Sequence, residues 1–167
     1  MGANIIDLSK QPNHPGILND AVAGASSGDI IVLKRNETYS LTNAIVLDKS
    51  ITFMSGRGLE APAKIFFASA ASFDCLKGSQ IDSVKFDEVE IAGDYTRDYV
   101  MNISAASGIG RLIITNSNVN NLRGVVRVKG SDQITVGSFI IDNSVVKSIS
   151  GYGLFNLDNG NPQSAVN

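Results

Sequence analysis

The stretch LIITNSNVNNLRGVVRV, Leu112 to Val128, returns shortly afterwards as FIIDNSVVKSISGYGLFNL, Phe139 to Leu157. Thr115-Asn116-Ser117 aligns with Asp142-Asn143-Ser144 at a spacing of 27 residues. Val119 with Val146, Leu122 with Ile149 and Gly124 with Gly151 keep that spacing. One repeat upstream, Phe86 precedes Ile114 by 28 residues, with Val89 against Ser117 and Ile91 against Val119. Four apolar pairs at i, i+2 head the repeats: Ile51/Phe53, Val84/Phe86, Leu112/Ile114 and Phe139/Ile141. A second set, VMNI (100–103), VVRV (125–128) and LFNL (154–157), shares the order apolar, apolar, polar, apolar. Self-similarity at a period of this size is the signature of stacked supersecondary units, and it outweighs any local motif.

Short strands every 25–29 residues without helices between them cannot build a doubly wound sheet, whose parallel crossovers need helices. The leucine-rich framework Leu-x-x-Leu-x-Leu is missing as well. One arrangement satisfies the pattern. Each repeat is one turn of a coil, the i, i+2 pairs point inward, Gly and Asn hold the corners, and backbone hydrogen bonds run between turns. The predicted fold is all-β, a right-handed single-stranded parallel β-helix (solenoid), forming one domain over residues 1–167 with coils over about 29–167. Gly (16 residues), frequent Asn and β-branched residues suit short strands with tight corners.

In HPGILNDAVAGASSGD, residues Ile17, Leu18, Ala21, Val22 and Ala25 follow a helical period between Pro15 and Gly28. This predicts a short helix over about 16–25, too short to stand alone and placed to cap the open end of the first coil. DIIVLKRNETYSL reads as a buried strand, a turn at KRNE, then Tyr39 and Leu41. NAIVLDKSITFMSG gives two further strands broken at Asp48-Lys49-Ser50.

The segment ILNDAVAGASSGDIIVLKRNETYSL followed by IVLDKSITFMSG resembles the opening segment of right-handed β-helices of the pectate-lyase-like superfamily. The resemblance rests on Gly28, Asp29, Ile31, Leu33, Tyr39 and Lys49 to Thr52. VEIAGDYTRDYVMNIS, NNLRGVVRVKG and GYGLFNLDNG are similar to uncharacterised bacterial lyase-like modules. The resemblance implies a secreted or cell-surface protein, its signal peptide removed, acting in polysaccharide use. Enzymes of that superfamily have more coils, and NGNPQSAVN stops where another strand is due. The expectation is therefore a truncated solenoid, or a last coil covered by a neighbouring domain or a second copy in a homo-oligomer, because open strand edges invite aggregation.

Composition narrows the chemistry. Charged residues are 18% of 167 and the formal net charge is −2, so there is no basic stripe to neutralise phosphates and no nucleic-acid partner is expected. His14, the only histidine, and Cys75, the only cysteine, exclude a His-cluster or thiolate metal site and an intrachain disulfide, and disfavour a Ser-His-Asp triad. His14 reads as a loop residue. No run of about 18 apolar residues exists, so no membrane span is expected.

Aligning the second strand set puts Asp74, Asn102, Arg127 and Asn156 in one column facing out from successive coils. A guanidinium pairs with a uronate and amides take hydroxyls, so this ladder suits an acidic sugar chain. Alternation alone also predicts polar residues there. Arg123 and Arg127, with Arg97 and Lys129, are the candidates for the base and charge-neutralising roles of β-elimination. Tyr95, Tyr99 and above all Tyr152, between Gly151 and Gly153, are candidate stacking platforms for sugar rings. Acidic residues gather in FDEVEIAGDYTRD. Glu88 and Glu90 are the calcium candidates, although a solvated edge is the simpler reading and no cofactor is otherwise expected. Asn116 and Asn143 read as a structural ladder at one corner.

The preferred function is a non-catalytic carbohydrate-binding or surface module of a polysaccharide-utilisation protein. The alternatives are a polysaccharide lyase acting on a uronate-containing glycan, and a structural or oligomerisation element.

Overall fold

Ile51 and Phe53 lie in parallel register with Val84 and Phe86, those with Leu112 and Ile114, and those in turn with Phe139 and Ile141. The apolar pairs of the sequence are therefore successive rungs of one inward column. The computed structural model that shows this describes residues 2–161 and 165–166.

The chain begins with strand β1 (Ile5–Asp7), a 3-10 turn and helix α1 (Ile17–Gly24). The first coil holds β2 (Asp29–Leu33), β3 (Thr38–Leu41) and β4 (Ile45–Leu47). The second holds β5 (Ile51–Ser55), β6 (Ala63–Phe67) and β7 (Phe73–Cys75). The third holds β8 (Gln80–Asp87), β9 (Val89–Ala92) and β10 (Tyr99–Ile103). The fourth holds β11 (Gly108–Thr115), β12 (Asn118–Leu122) and β13 (Gly124–Gly130). The fifth holds β14 (Thr135–Asp142), β15 (Val145–Ile149) and β16 (Phe155–Asn159), and β17 (Ala165–Val166) starts a sixth. Like strands stack into three all-parallel sheets, A (β1, β2, β5, β8, β11, β14, β17), B (β3, β6, β9, β12, β15) and C (β4, β7, β10, β13, β16). The fold is a parallel β-helix of about six turns.

Two elements depart from the sequence reading. Ile5-Ile6-Asp7 pairs with β2 and extends sheet A beyond the first coil, fixed by the Asn4 amide donating to Asp29 Oδ1 at 2.9 Å. NGNPQSAVN does not stop short of a strand: Ala165 and Val166 pair with Thr135 and Val136. Residues 162–164 and 167 of that segment lie outside the described residues. The helix is where its period places it, with Ile17, Leu18, Ala21 and Val22 buried over the first coil.

The Asn-Ser corner has a division of labour. Glu88, Asn116 and Asn143 hold positive φ (54°, 51° and 45°) at the same A-to-B corner, which Asn tolerates better than most side chains. Asn143 Nδ2 donates to Asn116 Oδ1 (2.6 Å), and Asn116 Nδ2 to Asp87 Oδ1 (2.9 Å), linking three coils outside the core. Inside, Ser117 and Ser144 hydroxyls accept from the backbone amides of the preceding coil, Val89 N at 3.1 Å and Ser117 N at 3.0 Å. The two serine hydroxyls satisfy backbone amides that the turn would otherwise strand.

The core is aromatic in its middle. Phe73 lies 5.1 Å from Phe53 and 5.0 Å from Phe86, with Phe67 at 6.2 Å, ring centre to ring centre. Burial then fades toward the C-terminal coil. Val119, Leu122 and Val128 are fully buried, whereas their register partners Val146 and Ile149 are partly exposed and Leu157 is 63% exposed.

Candidate functional site

Sheet C keeps Phe73, Met101, Val126 and Phe155 on the core side, so the residue after each faces out. The register runs Val46, Asp74, Asn102, Arg127, Asn156 across β4, β7, β10, β13 and β16. The structure thus brings the ligand candidates Asp74, Asn102, Arg127 and Asn156 into one column. Adjacent members are about 4.8 Å apart.

The column has two halves of different character. In the first, Ser72 Oγ donates to Asp74 Oδ1 (2.6 Å), and Asn102 Nδ2 donates to Ser72 Oγ (2.8 Å) and Asp74 Oδ1 (3.3 Å). This network turns the Asn102 amide NH2 toward β7 and therefore its oxygen toward β13. In the second half, Arg127 Nη2 is ion-paired with Asp158, and its guanidinium carbon lies 5.7 Å from the Tyr99 ring centre. Asn156 Nδ2 donates to the Tyr99 hydroxyl at 3.0 Å. Two side-chain atoms between the halves, Asn102 Oδ1 and Arg127 Nε, are buried and have no hydrogen-bond partner among the described residues. A buried polar group without a partner costs about 1–3 kcal/mol.

Tyr99 is not a stacking platform, because it is 3% exposed. Its ring crosses Gly124, where an added Cβ would meet Tyr99 Cε1 at 2.5 Å, and so reaches Asn156 two coils away. The repeated glycines Gly124 and Gly151 therefore differ in purpose: only Gly124 makes room for a ring, and nothing approaches Gly151. Tyr152 is exposed, as its corner suggests, with the Arg123 guanidinium carbon 4.2 Å over its ring. The Tyr152 phenol beside it pushes the Arg123 pKa further up, the opposite of what a general base needs.

The loop between β9 and β10 borders this corner. Asp98 is buried and accepts from Arg97 Nε (2.7 Å), Arg97 Nη2 (3.0 Å) and the Asp94 amide (2.8 Å), while its carbonyl takes the Arg123 amide (2.8 Å). A recess of ≈ 390 Å³ between this loop and sheet B is lined by Phe66, exposed Tyr95, Arg97 and Asn121 among others.

The acidic stretch is not a solvated edge throughout. Glu88 is ion-paired with Arg35, a buried guanidinium that also donates to the carbonyls of Gly56 (2.6 Å) and Glu60 (2.7 Å). Glu90 pairs with Lys64 at 3.1 Å, and Lys85 lies 3.0 Å from Asp87. Burial pushes the Asp87 pKa up, but hydrogen bonds from Asn116, Lys85 and Thr115 more than offset it and hold the carboxyl below its usual range. Asp87, Glu88 and Glu90 each face a cation, and among the described residues no three metal-ligating side chains gather. Glu88 and Glu90 do not form the oxygen cage calcium takes. His14 is exposed, its ring Nδ1 lies 3.0 Å from the carbonyl of its neighbour Pro15, and its own carbonyl accepts from the Ile17 amide at 3.2 Å.

Asp158 and Ser72 organise this face and the sequence reading passed over both, while Asp98 was read only as one loop carboxylate of the acidic stretch. Extending the aligned column by two residues sets Lys129 against Asp158, one step from Arg127, and would have shown the anion beside it.

Three all-parallel sheets stacked coil on coil, with a helix over the first, define a class, the parallel β-helices, whose fold alone assigns no function. The chain belongs to the family described as a domain of unknown function, DUF4957, whose model matches residues 37–166. No curated protein and no solved structure matches it.

Proposed function

We propose that this chain is a non-catalytic carbohydrate-binding module, with kinship to the pectate-lyase-like β-helices, and that it serves a secreted or surface-anchored protein of polysaccharide use. The ligand is an acidic polysaccharide lying along the outer face of sheet C. The observation that carries the reading is the column Asp74, Asn102, Arg127, Asn156, with Tyr152 and Arg123 at its edge. Arg127 supplies the charge for a carboxylate, the amides supply hydroxyl partners, and exposed Tyr152 offers an aromatic face to a sugar ring. Binding rather than β-elimination is favoured because Arg127 is ion-paired and the Arg123 pKa is raised, so neither is set to remove a proton.

The test is affinity electrophoresis and calorimetry of the wild type, Arg127→Ala and Tyr152→Ala against acidic and neutral polysaccharides, with and without calcium. A uronate polymer is expected to bind, and each variant to weaken it about tenfold, the size of a central contact. Absence of binding to every polymer, or binding indifferent to both substitutions, overturns the proposal.

A further inference from the structure

We propose that Asp158 is a built-in stand-in for the ligand's carboxylate: it occupies Arg127 in the free protein and is displaced when an acidic sugar binds. The inference rests on the acidic-glycan reading above and adds the residue that sets its affinity.

Arg127 has a parked arrangement that leaves its surroundings incomplete. Its Nη2 reaches diagonally along β16 to Asp158 and not to its own register partner, Asn156. In that position Arg127 Nε keeps a buried donor without an acceptor, while Asn102, its register partner on the other side, keeps a buried acceptor without a donor. The two orphans are complementary and sit on neighbouring rungs. Turning Asn102 over does not cure the mismatch, because its NH2 is required by Ser72 and Asp74. Release from Asp158 lets the arginine swing so that Nε–H meets Asn102 Oδ1 and the two terminal nitrogens face outward as a fork. A planar carboxylate is the partner that such a fork takes bidentately. In that arrangement both buried orphans are paired, and the outward fork is left for an anion other than Asp158.

Asp158 is suited to leave. It is 56% of its side-chain surface exposed, and among the described residues Arg127 is the one side chain that donates to its carboxylate, so water solvates it at once on release. Arg127 stays beside Tyr99, whose ring is fixed by burial and by Asn156. The competition makes the site selective. A neutral sugar gains nothing by displacing Asp158, whereas a uronate replaces one ion pair with another and completes the Nε to Asn102 bond.

The experiment measures oligogalacturonate and a neutral gluco-oligosaccharide of equal length, by titration calorimetry at low salt, with wild type, Asp158→Asn and Asp158→Asn/Arg127→Lys. Asp158→Asn is expected to tighten oligogalacturonate about fivefold, the scale of one exposed ion pair, and to leave the neutral sugar unchanged. The double variant loses that gain, because lysine has no Nε–H fork to set against Asn102. Wild-type binding that Asp158→Asn leaves equal or weaker overturns the inference and leaves the glycan reading standing. If neither protein binds oligogalacturonate, the glycan reading falls and this inference with it. A thermal melt of each variant separates a lost fold from a lost site.

Discussion

Replacing Phe73 with leucine should cost far more than the same change at Phe139, although both are inward-facing aromatics, Phe73 on sheet C in the second coil and Phe139 on sheet A in the fifth. Phe73 is fully buried and is the hub of the ring cluster, with three partners at 5.0–6.2 Å. Each such pair contributes about 0.5–1.5 kcal/mol beyond its area. Leucine restores part of the volume, so a loss of about 2–3 kcal/mol is expected at Phe73. Phe139 has one ring partner, Phe155 at 6.0 Å, and is only partly buried. Its replacement should cost about 0.5–1 kcal/mol by the same reckoning. Position adds to chemistry here. Phe73 weakens a coil with neighbours on both sides, whereas Phe139 belongs to the last complete coil, and stability in a solenoid is a sum over such interfaces. Urea unfolding followed by circular dichroism, with the slope compared between variants, gives both values. The difference of about 2 kcal/mol corresponds to roughly 4–8 °C in Tm for a chain of this size. Equal losses at the two positions, or a larger one at Phe139, would refute the view that burial fades from the centre to the end.

Asp98→Asn should lower Tm and weaken binding of an acidic polysaccharide together, because Asp98 holds both Arg97 nitrogens and the Asp94 amide beside the corner that bears Arg123; a melt and a binding curve on one preparation check it, and a lowered Tm with unaltered binding would detach the loop from the site. The Cys75 thiol, pushed up to about 12 mainly by burial, should resist a thiol reagent at neutral pH in native protein and react fully in urea. Rapid native labelling would contradict its placement in the core. Asp7, Asp29, Asp87 and Asp94 all have pKa values below the usual one through hydrogen bonds that the charged form accepts. Their contribution is complete above the unfolded value near 4 and is lost as pH falls through the folded values, so Tm should be level from neutrality to about pH 5 and fall below it. A Tm that holds or rises down to about pH 3 would contradict the sign.

The column of candidate residues was legible because a parallel solenoid turns alignment into geometry: matching positions of a repeated strand pattern are register partners, so Asn102, Arg127 and Asn156 follow from the shared order apolar, apolar, polar, apolar. The same rule located the inward pairs and the Asn ladder, while the capping helix followed from its own helical period. Relations that run off the column were not legible. Arg127 pairs diagonally with Asp158, and Asp98 folds back on its own loop. Tyr99 lies flat across two coils because Gly124 has no side chain, so a residue that reads as a platform is buried. β1 escaped notice because three residues carry no period, and its pairing depends on Asp29 anchoring Asn4.

The outer face of sheet C is a one-dimensional object, and this decides where it can respond to a ligand. Five rungs from Val46 to Asn156 span about 19 Å at the inter-strand spacing, long enough to lie along several sugars. Ser72, Asp74 and Asn102 Nδ2 already satisfy one another, so a ligand there competes with bonds that exist and gains only what exceeds them. At the Asn102–Arg127 step the bonds are missing, and a rearrangement that creates them adds to the ligand's own contacts. Selectivity in such a column need not be spread evenly over its polar residues. On the proposed glycan reading it concentrates at the step where the unliganded protein is least satisfied, and along this face that step is next to Arg127.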